Sequence, residues 1–166
     1  MTAFFEYCDQ LHKLLLELDE FFMPDDLEEL DCDGLNRRID TVKPCLEDAC
    51  GVRLVCDEAQ DAFFICDLVC WVEVPSNIPA EYITNAASYC ALYRARFSYY
   101  GGLVSISHTC QTSIDTKGVR QKSACCLEKY GFIYVDNEIL TRKYDGKHEY
   151  FLENNLTWWD RFFEYE

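Results

Sequence analysis

The chain has 166 residues, 30 acidic side chains against 15 basic ones, a net charge of −15 and 49% apolar residues. That length points to one domain burying about 70% of its unfolded surface, and the apolar share argues against wholesale disorder. No run approaches the roughly 18 uncharged apolar residues of a membrane helix; the best stretch, Ala62 to Val74, is interrupted by Asp67 and Glu73.

Phe4, Tyr7, Cys8, Leu11, Leu14, Leu15, Leu18, Phe21 and Phe22 recur at three- and four-residue spacing, which predicts a helix from about residue 3 to residue 22, stopped by Pro24. A short helix over Asp25–Leu30 is expected next. Asp33-Gly34 reads as a turn, Leu35–Val42 as a helix ended by Pro44, and Cys45–Cys50 as one more helical turn, with Gly51 as its cap. The period then changes. Val52–Cys56 and Ala62–Val74 are rich in Val, Ile, Phe and Trp and read as strands, joined by a hairpin loop over Asp57–Asp61.

Pro75, Ser76, Asn77 and Pro79 end that strand and open a second long helix, whose face is Tyr82, Ile83, Ala86, Ala87, Cys90, Tyr93 and Phe97. Leu103–Ile114 and Val119–Leu127 read as a hairpin around Asp115-Thr116-Lys117-Gly118. Phe132–Val135, Glu138–Lys143 and Glu149–Leu152 read as short strands, and Asn155 as the cap of a terminal helix carrying Trp158, Trp159, Phe162 and Phe163. The pattern predicts a single α+β domain over residues 1–166. Its N-terminal helices precede a mainly antiparallel sheet with one long helix packed on it.

Charge is concentrated at one end. Residues 1–61 hold 17 acids and 5 bases, a net of −12, and Glu17, Asp19, Glu20, Asp25, Asp26, Glu28, Glu29, Asp31 and Asp33 follow one another without a Lys or Arg. Such a field repels nucleic-acid phosphates, whose binding relies on Lys and Arg displacing counterions, and repels anionic membrane surfaces equally. A basic protein is instead attracted and steered toward the acidic third, about residues 1–51. The plainer reading of the same charges is a solvated face that maintains solubility.

Motifs for chemistry are sparse. Glu29, Asp31, Asp33, Gly34 and Asp40 have the spacing of a calcium-binding EF-hand loop. Glu stands at the first ligand position, however, Asn36 replaces the usual apolar residue, and Arg37 and Arg38 add positive charge, so an acidic capped turn is expected. No Cys-x2-Cys pair occurs, and His12, His108 and His148 are scattered, which speaks against zinc. His108 and Cys110 share one face of a predicted strand, but no nucleophile elbow, phosphate loop or nucleotide fingerprint accompanies them. The expectation is a protein that is not an enzyme and needs no metal or cofactor.

The odd count of eleven cysteines and an N-terminus without a positive n-region point to a reducing cytoplasm or nucleus, in which the thiols stay free and most pack as small buried hydrophobes. At the other end, Trp158, Trp159, Phe162, Phe163 and Tyr165 crowd the tail. They either close the core or present an aromatic contact surface centred on Trp158 and Phe162.

Helix, strands, helix and strands spanning Val52 to Ile106 in a small acidic chain resemble the effector-binding chaperones of type III secretion. The resemblance lies in element order and acidity. The acidic stretch before Val52 and the number of cysteines depart from it. It implies a protein that holds an extended segment through apolar surfaces. The charge favours a different expectation, a non-enzymatic inhibitor of the immunity-protein or nucleic-acid-mimic kind that neutralises a basic partner such as a nuclease. In that expectation Glu17–Asp33 mimics phosphates, and a homodimer is the other association open to the chain.

Overall fold

The computed structural model describes residues 2–21, 31–57, 65–73, 89–98, 100, 102–108 and 116–164. Helix α1 spans Thr2–Phe21 and buries Cys8, Leu11 and Leu15 along one stripe, as the spacing predicts. Asp25–Leu30 lies outside the described residues.

Helix α2 runs unbroken over Cys32–Cys50 with Pro44 inside it, where two shorter helices were expected. Leu35, Ile39, Val42 and Leu46 form its buried stripe, while Pro44 sits on the exposed side. The pyrrolidine removes only the amide that would reach the Asp40 carbonyl, and Asp40 is exposed too, so solvent can take that acceptor. Asp33-Gly34 is the first turn rather than a break, because the Asp31 carboxylate accepts from the Gly34 N–H at 2.8 Å. At the other end Gly51 adopts φ 73° and its N–H reaches the Glu47 carbonyl, so the expected cap is present.

Strands β1 (Val55–Cys56), β2 (Ile65–Glu73), β3 (Tyr89–Ser98), β4 (Leu103–Ser107) and β5 (Ile133–Tyr134) form one five-stranded sheet in that spatial order. The first three pairings are antiparallel, and β4 pairs with β5 in parallel. A parallel neighbour requires a crossover, and helix α3 (Thr116–Lys129) supplies it. The chain ends in three short helices, α4 (Asn137–Leu140), α5 (Glu149–Glu153) and α6 (Trp158–Phe163). The fold is thus α+β, with N-terminal helices followed by a mainly antiparallel sheet.

Several elements differ from expectation. The predicted second long helix is strand β3 from Tyr89 onward, and its earlier part, Tyr82–Ala87, lies outside the described residues. Ala91, Tyr93, Ala95 and Phe97 are buried alternately, with Leu92, Arg94 and Arg96 between them less so. Tyr93 and Phe97 are four apart, a spacing that both periods satisfy, and the small Ala91 and Ala95 conceal the alternation. The element order that resembled secretion chaperones therefore does not hold over β3.

Val119–Leu127 is helical rather than a strand, and Ile114 and Asp115 of the expected hairpin lie outside the described residues. The stripe of α3 runs through Val119, Ser123, Cys126 and Leu127, with Tyr130 just past its end; its polar member, Ser123, is fully buried and accepts the Tyr93 hydroxyl at 3.1 Å. Glu138–Leu140 falls in helix α4 and Glu149–Leu152 in helix α5 rather than in strands, while Lys143 makes an isolated β-bridge with Thr157. The Asp136 carboxylate caps α4 by accepting from the Glu138 N–H. The terminal helix forms as expected, but Thr157 caps it, in a reciprocal box with Asp160, while Asn155 takes a left-handed turn at φ 56°.

Two apolar clusters lie on opposite faces of the sheet. Alternate residues of β4 separate them: Val104 and Ile106 face the α2–α3 side, with Leu35, Leu46, Leu68, Phe97 and Leu127. Leu103 faces the other cluster, in which α1 meets α4, α5 and α6 through Leu11, Leu15, Leu140, Phe151 and Trp158.

Candidate functional site

The acidic third is where the sequence concentrates its signal, and the structure divides it. Because α1 packs on one face of the sheet and α2 on the other, Glu17, Asp19 and Glu20 do not share a helix with Asp33. Glu17 and Glu20 are exposed near the C-terminal end of α1, where the helix dipole disfavours negative charge. Each is answered by a lysine: Lys13 stands 3.7 Å from Glu17, and Lys147 stands 2.6 Å from Glu20. Asp31 and Asp33 occupy the favourable end of α2, one as its cap and the other exposed in its first turn. Asp25, Asp26, Glu28 and Glu29 lie outside the described residues. Among the described residues, the exposed Asp9, Asp40 and Asp48 extend the negative surface.

Asp19 leaves the surface altogether. It is 2% exposed and sits in a polar knot inside the aromatic cluster. Its Oδ1 accepts from Arg161 Nε at 2.7 Å and lies 3.3 Å from His148 Nε2. Its Oδ2 accepts from the Tyr144 hydroxyl and from the Lys147 backbone N–H at 3.1 Å. Arg161 is itself fully buried, with its guanidinium over the rings of Tyr100, Phe151 and Phe162. Burial pushes the Tyr144 phenol up, and its hydrogen bond to Asp19 pushes in the same direction. An ion this deep requires its counter-ion, so Asp19 is structural.

Trp158 and Phe162 are also inside, at 0% and 1% exposure. Their rings stack on each other, and Trp158 Nε1 donates to Asp145 Oδ1 at 3.1 Å. The tail closes the core, so Asp19, Trp158 and Phe162 all drop out of the expected partner surface.

Sequence reasoning missed a second buried ion pair. Asp67, fully buried on β2, accepts from Arg96 Nε and Nη2, each at 3.0 Å, while Arg94 Nε lies 3.4 Å away. A carboxylate interrupting an apolar strand was the available signal, since burial there demands a cation. His108 was noted beside Cys110, which lies outside the described residues. The His108 ring is half-buried, Nδ1 stands 3.3 Å from the Leu92 carbonyl, and burial pushes its pKa down. Among the described residues no group of three or more His, Cys, Asp or Glu side chains is arranged to hold a metal, and no helix is long and apolar enough to cross a membrane.

Cysteine usage differs from expectation as well. Cys45 on α2 and Cys126 on α3 form a disulfide across 81 residues of chain, so these thiols do not remain free. Of the free cysteines whose side chains are described, Cys8 and Cys66 are buried; Cys56 and Cys125 are exposed, and Cys50 and Cys70 lie between. Spacing carried no hint of the pairing, because it depends on how α2 and α3 meet. An open cleft of about 670 Å³ lies between α1, α3 and the residues around β5, lined by Tyr7, Lys117, Arg120, Cys125, Tyr134 and Asp136 among others. Its charges are mixed, with Arg120 3.6 Å from Asp136.

Comparison with known proteins finds no matching family model, no similar curated protein and no similar solved structure.

Proposed function

We propose that the protein is a non-enzymatic, acidic binding protein that neutralises a basic protein partner. The observation that carries this reading is the net charge of −12 over residues 1–61 within a total of −15. Exposed carboxylates on both α1 and α2 support it, because they spread the negative field over two helices instead of one patch. A basic partner such as a nuclease or another nucleic-acid-binding protein would meet Asp31 and Asp33, with Asp25, Asp26, Glu28 and Glu29 beside them in sequence. Glu17 and Glu20 contribute less, since lysines of the same chain already face them. Nucleic acids and anionic membranes are repelled by the same field and are not partners in this reading. The adaptor alternative lacks its anchors, because Trp158 and Phe162 are core residues. Cytoplasmic residence has the six free cysteines among the described side chains in its favour and the Cys45–Cys126 bond against it.

The test is affinity capture from a lysate of the source cells, eluted along a salt gradient and identified by mass spectrometry. A basic protein released at moderate salt is expected. Reversing Asp25, Asp26, Glu28 and Glu29 to Lys should then slow association with that protein by about tenfold or more at low salt, and by less at high salt. Unchanged association after the reversal, or a partner that stays bound through high salt, would remove the reading.

A further inference from the structure

Cys56 and Cys66 bring two sulfurs together at the edge of the sheet. In the β1–β2 register Cys56 pairs with Leu68, so Cys66, two residues from Leu68, projects on the same side of the two strands. Their Sγ atoms are 3.6 Å apart. The two thiols differ sharply in access: Cys56 is exposed on the edge strand, and Cys66 is buried at 9%. β1 is two residues long and, among the described residues, pairs with β2 alone. The remaining approach to a disulfide bond of about 2.05 Å falls on a short edge strand.

We infer that Cys56 and Cys66 form a dithiol site that a small-molecule disulfide of the glutathione class oxidises, with Cys56 the point of entry and Cys66 the resolving thiol. The Cys56 thiolate attacks one sulfur of oxidised glutathione; that S–S bond breaks, and one glutathione leaves and takes up a proton. The Cys66 thiol, deprotonated, then attacks Cys56 Sγ and expels the second glutathione, which takes up the other proton. Two protein thiols are oxidised to one disulfide, and one glutathione disulfide is reduced to two thiols. Burial pushes the Cys66 thiol up, as does the neighbouring Cys56, which agrees with Cys66 acting second. The product staples the edge strand to β2, making a second disulfide beside Cys45–Cys126.

The full-length protein, incubated with oxidised glutathione and then alkylated, is digested on the carboxyl side of Glu and at Asp. Trypsin is added because Arg53 separates Cys50 from Cys56; Glu58 and Asp61 separate Cys56 from Cys66, and Asp67 separates Cys66 from Cys70. The expected result is two peptides, one with Cys56 and one with Cys66, joined by a disulfide, with neither of these two thiols left to alkylate. Cys66→Ala should instead retain one glutathionyl group on Cys56, and Cys56→Ser should leave Cys66 unmodified. A wild-type protein that keeps a stable glutathionyl group on Cys56 while Cys66 stays reduced would overturn the inference. So would Cys66 joined to any other cysteine, or both thiols left untouched; the wild-type result stands even if a variant fails to fold.

Discussion

Asp19 shows what a single side chain can conceal. Read along the sequence it belongs to a run of surface acids, yet its carboxylate is the acceptor for Arg161, the Tyr144 hydroxyl and the Lys147 amide at the centre of an aromatic cluster. Two buried ions stabilise little by their mutual attraction, because both lose hydration on folding; removing one alone is far worse, because it strands the other. Asp19→Ala should therefore lower the unfolding free energy by about 3–5 kcal/mol, measured by urea denaturation. Asp19→Leu combined with Arg161→Met should recover part of that loss but not all, since Tyr144 and Lys147 still lack their acceptor. If the double variant is no more stable than the single one, Asp19 is not held in the fold by Arg161. Asp67 with Arg96 repeats the device on β2, and there the sequence did carry a sign: an acid inside an apolar run.

At the scale of elements, success and failure both follow from periodicity. α1 was legible because its apolar residues are large and its polar face is charged. β3 was misread because Tyr93 and Phe97 satisfy a helical and a strand period together, and α3 because a buried serine interrupts its stripe. The four residues Glu149–Leu152 of α5 are too few to distinguish a helical from a strand period. Pro44 presents the opposite case, a reliable breaker overridden by context. Burial of Leu35, Ile39, Val42 and Leu46 along one face outweighs one missing amide on the solvent side. Pro44→Ala should restore the hydrogen bond to the Asp40 carbonyl and raise stability by about 1–2 kcal/mol, less than the full helix-interior penalty because the unfolded chain also gains freedom. A lower denaturation midpoint for the alanine variant would mean that the helix is shaped around the proline.

At the scale of the whole molecule, the charge of −15 acts on stability as well as on partners. Like charges held together in the folded state repel over a Debye length of about 30 Å at 0.01 M salt and about 8 Å at 0.15 M. Raising potassium chloride over that range should increase the melting temperature by a few degrees, which for a chain of this size corresponds to roughly 1 kcal/mol. The buried pairs are screened too little to offset this gain. A melting temperature that falls with salt would show that surface pairs such as Lys147–Glu20 outweigh the net repulsion. The same self-repulsion is what a basic partner would relieve on binding, so the salt response of the free protein and of the complex should have opposite signs.

Composition and local pattern determined the α+β class, the first helix, the strand character of Ile65–Glu73, the terminal helix and the negative field, because each is a property of neighbouring residues or of a sum over the chain. The tertiary structure alone decided which acids face solvent, that the tail is core, that Cys45 meets Cys126, and that Cys56 lies beside Cys66. Those outcomes depend on contacts between residues far apart in the chain. Asp19 and Arg161 are 142 positions apart, a separation over which periodicity and propensity carry no information.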